Sequence, residues 1–87
     1  MQNDCKNCVL LTEAHVYFGG MCLCYGLYMV GDRILRRFRI RVGKADEFCE
    51  ADVGCDLFRA AECYQRVLND RVTPCTLESV LAELQYA

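Results

Sequence analysis

The chain has no tryptophan, a single proline (Pro74), a single histidine (His15) and only six glycines. So few turn residues, with 54% hydrophobic and 25% charged residues, exclude intrinsic disorder, collagen-like repeats and a flexible linker. No uninterrupted apolar run approaches the roughly 18 residues of a membrane-spanning helix. The opening Met1-Gln2-Asn3-Asp4-Cys5-Lys6-Asn7-Cys8 is polar and lacks the charged segment and long apolar core of a secretory signal. Excess positive charge is also missing. With a net charge of −2, no whole-molecule field draws the chain onto DNA. Neither a phosphate-cradling glycine loop nor a Ser/His/Asp spacing is present, and a lone histidine leaves little to build a catalytic site from. The reading is therefore non-enzymatic.

What is abundant is cysteine, eight in 87 residues. Four disulfides in a secreted scaffold are one reading, with 105 possible connectivities. Such scaffolds are loop-rich, whereas this chain has long apolar-periodic segments, which favours reduced thiols and a cytoplasmic setting. Cys5-x-x-Cys8 and Cys22-x-Cys24 supply four thiolates in two close pairs, a candidate structural zinc site. His15 lies between the pairs and could replace one ligand. Only the first pair has the usual metal-site spacing, and small buried hydrophobes are the plainer reading of these cysteines.

The 10.0 kDa length allows one domain. Glycine first in Gly31-Asp32 suits a type II′ hairpin turn between apolar segments. Pairing Val30 with Arg33 then sets Leu27 against Arg36, Tyr25 against Phe38, Leu23 against Ile40 and Met21 against Val42. The opposite face would pair Cys24 with Arg39 and Cys22 with Arg41, placing guanidinium groups where they would lower a thiol pKa. Cys8 to Phe18, ahead of a Gly19-Gly20 turn, is a candidate third strand. Asp56 caps a helix over 57–69, with Leu57, Ala61, Tyr64 and Leu68 as its apolar stripe, Ala60 and Val67 beside them, and Glu62–Arg66 as an ion pair. A second helix opens at Thr73-Pro74 with Leu77, Val80, Leu81 and Leu84 inward. The expectation is an α+β domain in which a small antiparallel sheet packs on two C-terminal helices. Its parts are an N-terminal cysteine-containing segment over 1–20, a hairpin over 21–42, an acidic loop over 43–56 and a helical pair over 57–85.

Charge is segregated. Arg33, Arg36, Arg37, Arg39, Arg41 and Lys44 lie in one stretch without an acid, followed by Asp46, Glu47, Glu50, Asp52 and Asp56 without a base. Alternating Arg37, Arg39 and Arg41 form a ladder on one sheet face, with Arg33 and Arg36 near the tip. Arginine forks bind carboxylate or phosphate bidentately, so the ladder is a candidate docking surface for an acidic protein or a nucleic-acid backbone. The alternative is a solvated face, or one paired internally by residues 46–52. The acidic stretch misses calcium-loop spacing. The second helix carries Glu78 and Glu83 but no base, which excludes a groove-reading helix–turn–helix.

Two segments, Tyr25-Gly26-Leu27 ahead of the hairpin and Val72-Thr73-Pro74-Cys75-Thr76-Leu77-Glu78-Ser79-Val80 after the first helix, carry a resemblance. Over roughly residues 25–84 the chain resembles an uncharacterised family of small clostridial and other Firmicutes proteins, a domain of unknown function. The arginine strand and the cysteine content depart from that pattern. The resemblance implies a bacterial or phage origin and a cytosolic setting, and it brings no catalytic or binding residue. Together these features point to a macromolecule-binding module of a bacterium, phage or mobile element, for example an inhibitor of a host or defence complex, docking through the arginine strand. The alternative is a zinc-stabilised nucleic-acid-binding module. The unpaired edges of a two-stranded hairpin, with Tyr28 and Leu35 partly apolar on one face, further predict a homodimer, formed by edge pairing through Cys8–Phe18 or by packing through the helices.

Overall fold

Gly19 and Gly20 both take the positive φ that a two-residue type I′ turn requires, at 60° and 78°. In the computed structural model, which describes residues 8–31, 36–44 and 46–86, this turn joins β1 (Cys8–Phe18) to β2 (Met21–Gly31), with Phe18 opposite Met21. β3 (Arg36–Lys44), β4 (Glu47–Asp52), α1 (Leu57–Asn69) and α2 (Leu77–Tyr86) follow. The strands form one antiparallel sheet in the order β1-β2-β3-β4, and the helices pack on it, giving the expected α+β arrangement. The candidate third strand is real. Its poor alternation comes from a bulge at Leu11: Leu10 faces Tyr28 but Thr12 faces Leu27, so the strand changes sheet face midway.

The β2–β3 register differs from the expected one. Gly31 faces Arg36, Met29 faces Phe38, Leu27 faces Ile40, Tyr25 faces Val42 and Leu23 faces Lys44. The pairing of Gly31 with Arg36 excludes the tight turn at Gly31-Asp32, and residues 32–35 lie outside the described residues. The slip is four residues, an even number, so every side chain keeps the face that its alternation predicts. What the slip changes is the neighbour. Arg36 moves from Leu27, on the apolar face, to the sheet end beside Gly31.

The stretch expected as an acidic loop over 43–56 holds β4. Its acids sit opposite bases, Asp52 facing Arg39, Glu50 facing Arg41 and Glu47 facing Lys44. Between them, Cys49 and Ala51 turn to the core. Beyond β4 the pairing continues through Val53 N–H to Phe38 O and Phe38 N–H to Gly54 O, both at 2.8 Å.

One face of the sheet carries the core. Leu23, Tyr25 and Leu27 meet Phe38, Ile40 and Val42, then Ala60, Tyr64 and Val67 of α1 and Leu77 and Leu81 of α2, all buried. Two tyrosine hydroxyls cross this core and find acceptors: Tyr25 donates to Val72 O at 3.0 Å and Tyr64 to Tyr25 O at 3.3 Å. Asp56 caps α1 as expected, accepting from the Phe58 and Arg59 N–H groups. The buried stripe is Ala60, Tyr64 and Val67, however, and Leu57 and Ala61 are exposed. The helix is rotated about the shared Tyr64, so that Ala60 and Val67, expected beside the stripe, form it with Tyr64. Arg66 pairs with Asp70 (3.2 Å), not with Glu62. In the second helix Leu77 and Leu81 are buried, with Val80 and Leu84 packed beside them, as expected. Its first turn, 74–76, is held by Thr73 and Thr76: the Thr73 N–H donates to Thr76 Oγ1 at 3.2 Å, and regular helix starts at Leu77.

Candidate functional site

Because the helices take one face, the other face of the sheet is open and collects the residues with chemistry. Alternation fixes its membership. β1 supplies Glu13, His15 and Tyr17, β2 supplies Cys22, Cys24 and Tyr28, β3 supplies Arg37, Arg39 and Arg41, and β4 supplies Phe48, Glu50 and Asp52.

Arginine side chains fill one half of it. Arg37 grips Asp52 bidentately, Nε donating to Oδ2 at 2.7 Å and Nη2 to Oδ1 at 3.0 Å. Arg39 Nη1 lies 3.4 Å from Glu50 Oε1. Arg41 Nε lies 2.9 Å from Glu50 Oε2 but is misaligned for a hydrogen bond, so that contact is an ion pair only. The Arg41 guanidinium also stacks on the Phe48 ring, 4.3 Å from its centroid. The Arg37 hydrogen bonds hold the Asp52 carboxyl below the usual carboxylate range, against partial burial and with help from the Gly54 N–H. The ladder is thus paired internally by β4, the alternative weighed for it above. Of the other two bases, Arg36 is exposed at the start of β3, opposite Gly31, and Arg33 lies outside the described residues.

The cysteines divide differently from the expected zinc site. Cys5 lies outside the described residues. Cys8 opens β1 opposite Val30, whereas Cys22 and Cys24 face Tyr17 and His15 at the strand's other end. Seven residues of strand put Cys8 roughly 20 Å from them. Cys8 therefore cannot complete a set with Cys22 and Cys24. His15 joins them instead: one of its ring nitrogens and the two thiol sulfurs lie within 4.8 Å of one another. The Cys24 thiol and His15 Nδ1 share a hydrogen bond at 3.1 Å, and Nε2 lies 3.9 Å from Glu13 Oε2.

Cysteine, imidazole and carboxylate in that order resemble a nucleophile with its base and orienting acid, but two features oppose catalysis. Cys24 faces Gly43 and not Arg39, so no guanidinium stands across from it. Desolvation, then the neighbouring Cys22 and Glu13, push its thiol pKa up, the reverse of the lowering expected from arginine neighbours. Second, β2 is an interior strand whose N–H groups point within the sheet toward β1 and β3, leaving none to stabilise an oxyanion above the face.

His15 is the residue that the cysteine spacing alone undervalued. A two-residue turn at Gly19-Gly20 necessarily sets it opposite Cys24, so the signal was the turn. Six other features of note carry less chemistry: Cys49 and Cys63 are half-buried, Cys55 and Cys75 are exposed, and Tyr17 and Phe48 stand out from the face.

No protein-family model matches the chain, no curated protein matches it, and no solved structure matches its fold. The resemblance to the small clostridial domain accordingly stands on its two sequence segments alone. Among the described residues no helix is long and apolar enough to cross a membrane.

Proposed function

We propose that this chain is a non-enzymatic protein-interaction module that binds an extended segment of a partner polypeptide along β1, by adding a strand to its sheet. The observation that carries the reading is the outer edge of β1. This strand is 11 residues long and ends the sheet, and no strand among the described residues pairs with its outer side. Such an edge offers a row of backbone donors and acceptors to another strand. Val9, Leu10 and Leu11 are each more than 40% exposed there, and Tyr17 and Phe18 follow at the other end. The bulge at Leu11 interrupts the edge, leaving Thr12–Phe18 as the regular stretch on which a partner strand can register.

The arginine ladder supports this reading less than its charge suggested. Arg37, Arg39 and Arg41 already have carboxylate partners, so an acidic ligand would have to displace Asp52 and Glu50. A nucleic-acid backbone would meet those same carboxylates. In the cytoplasmic setting proposed from the sequence, the partner is a protein, and a second copy of this chain paired β1 to β1 is one form of it.

The test compares capture from a bacterial lysate, and light scattering of the purified chain, for three proteins. These are wild type, Tyr17→Lys/Phe18→Lys, and Arg37→Gln/Arg39→Gln/Arg41→Gln. The lysine variant is expected to lose the partner or the dimer, while the glutamine variant keeps it. Retention by the lysine variant together with loss by the glutamine variant would return the docking surface to the arginines.

A further inference from the structure

We propose that His15, Cys22 and Cys24 form a three-ligand zinc site on the open face of the sheet, with Glu13 orienting the histidine and a fourth coordination position left to solvent. The site is independent of whether the β1 edge docks a partner.

Its geometry follows from backbone alone. Residues two apart on a strand project to one side, so Cys22 and Cys24 present both thiols to the open face and cannot readily bridge each other. The Gly19-Gly20 turn then brings His15 directly across from Cys24. Zinc holds sulfur at about 2.3 Å and nitrogen at about 2.0–2.1 Å in a tetrahedron, which spaces the ligand atoms about 3.5–3.8 Å apart. Here they lie within 4.8 Å, with Nδ1 and the Cys24 sulfur at 3.1 Å, so small side-chain rotations reach the coordinating arrangement.

The ring orientation adds a second argument. With Nδ1 turned to the thiols, Nε2 is the nitrogen nearest the Glu13 carboxylate, at 3.9 Å. A ligating histidine commonly gives its other N–H to a carboxylate, which fixes the tautomer and raises the basicity of the ligating nitrogen. Charge agrees as well. Two thiols and a carboxylate share this corner, and the observed register leaves Gly43, not an arginine, opposite Cys24. The nearest base lining the same cavity, Arg41, is turned onto the Phe48 ring and ion-paired with Glu50. Two sulfurs and one imidazole select a soft or borderline ion and disfavour calcium and magnesium, which take oxygen ligands. Binding releases the two thiol protons and leaves His15 neutral, with its remaining ring proton on Nε2.

The single histidine makes the test direct. Fully reduced whole chain is titrated with zinc against a chromophoric chelator, and the ¹⁵N shifts of the one imidazole are followed in parallel. The expected result is one equivalent bound, a shift signature of metallation at Nδ1, and at least tenfold weaker binding in both Cys22→Ser and Cys24→Ser. Glu13→Gln is expected to weaken binding about tenfold, as loss of an outer carboxylate does. Cys49→Ser and Cys55→Ser serve as controls and should bind like wild type. The proposal fails if the wild type binds no stoichiometric zinc, or if zinc leaves the His15 ring shifts unmoved. It also fails if binding survives in Cys22→Ser/Cys24→Ser, as it would were Cys5 and Cys8 the true ligands. The ring shifts are read on the wild type, so the conclusion stands even where a serine variant folds poorly.

Discussion

Arg71 occupies a left-handed position at a helix end, where glycine is the usual residue. The Val72 N–H reaches back to Val67 O at 3.1 Å and the Arg71 N–H to Leu68 O at 3.2 Å, the two closing bonds of a Schellman motif after α1. That motif requires the left-handed backbone, and Arg71 takes it at φ 50°. A β-carbon there costs on the order of 1–2 kcal/mol. Part of this is offset, because the Arg71 guanidinium stacks 5.4 Å from the Phe18 ring and ties the helix end to β1. An exposed contact of this kind is worth about 0.5 kcal/mol. Arg71→Gly should therefore raise stability in urea unfolding by up to ~1 kcal/mol, whereas Arg71→Ala keeps the strain, loses the stacking and should lower it slightly. A glycine variant no more stable than the alanine variant would remove strain from this account. Nothing in Asn69-Asp70-Arg71 announces the position, since the residue that normally marks it is missing. His15 was hidden for a related reason: a lone histidine acquires meaning only through its cross-strand neighbour.

Among the elements, β4 shows how a charge pattern can conceal a strand. Glu47, Glu50 and Asp52 read as a solvated loop, yet Cys49 and Ala51 alternate with them into the core. The acids are the polar half of a period of two, and their partners are the arginines of β3. The same period made the faces of β2 and β3 legible while leaving their register open, because an even slip preserves every face. Turn chemistry was the wrong arbiter at Gly31 and the right one at Gly19-Gly20, where both positions demand positive φ. The apolar stripe of α2 was legible for want of competition, while α1 carries enough apolar residues to allow two neighbouring faces. The β3–β4 pairing has a pH consequence. Asp52 has a lowered folded-state pKa, caused first by the Arg37 hydrogen bonds. Its contribution is thus present above the ordinary carboxylate value near about 4 and is lost as pH falls through the depressed folded value. The pair is partly exposed, which limits its worth to roughly 0.5–1 kcal/mol. Asp52→Asn should cost about that much at pH 7 and less near pH 2, measured by urea unfolding at both. An equal cost at the two values would mean that the Gly54 contact, and not the charge, is what Asp52 contributes.

For the whole molecule, the sheet is wider than the helical layer. α1 lies over β2 and β3 and α2 lies over β4, while β1 reaches this layer only through Val16 against the core, Thr12 on Tyr64 and Phe18 under Arg71 among the described contacts. A strand held by one neighbour and little tertiary packing opens locally at low free energy. Native-state hydrogen exchange should accordingly show β1 exchanging first, well ahead of Leu23–Leu27 and Phe38–Val42, whose side chains include the most buried in the fold. Protection in β1 equal to that in β2 would contradict this ordering. The same measurement separates the two proposals made for this strand. Zinc clamps β1 to β2 at His15 and Cys24 and so should slow exchange around that pair in both strands. A docked strand covers the outer side of β1 instead, and should slow the outward-facing amides of Thr12–Phe18 while leaving those of β2 unchanged.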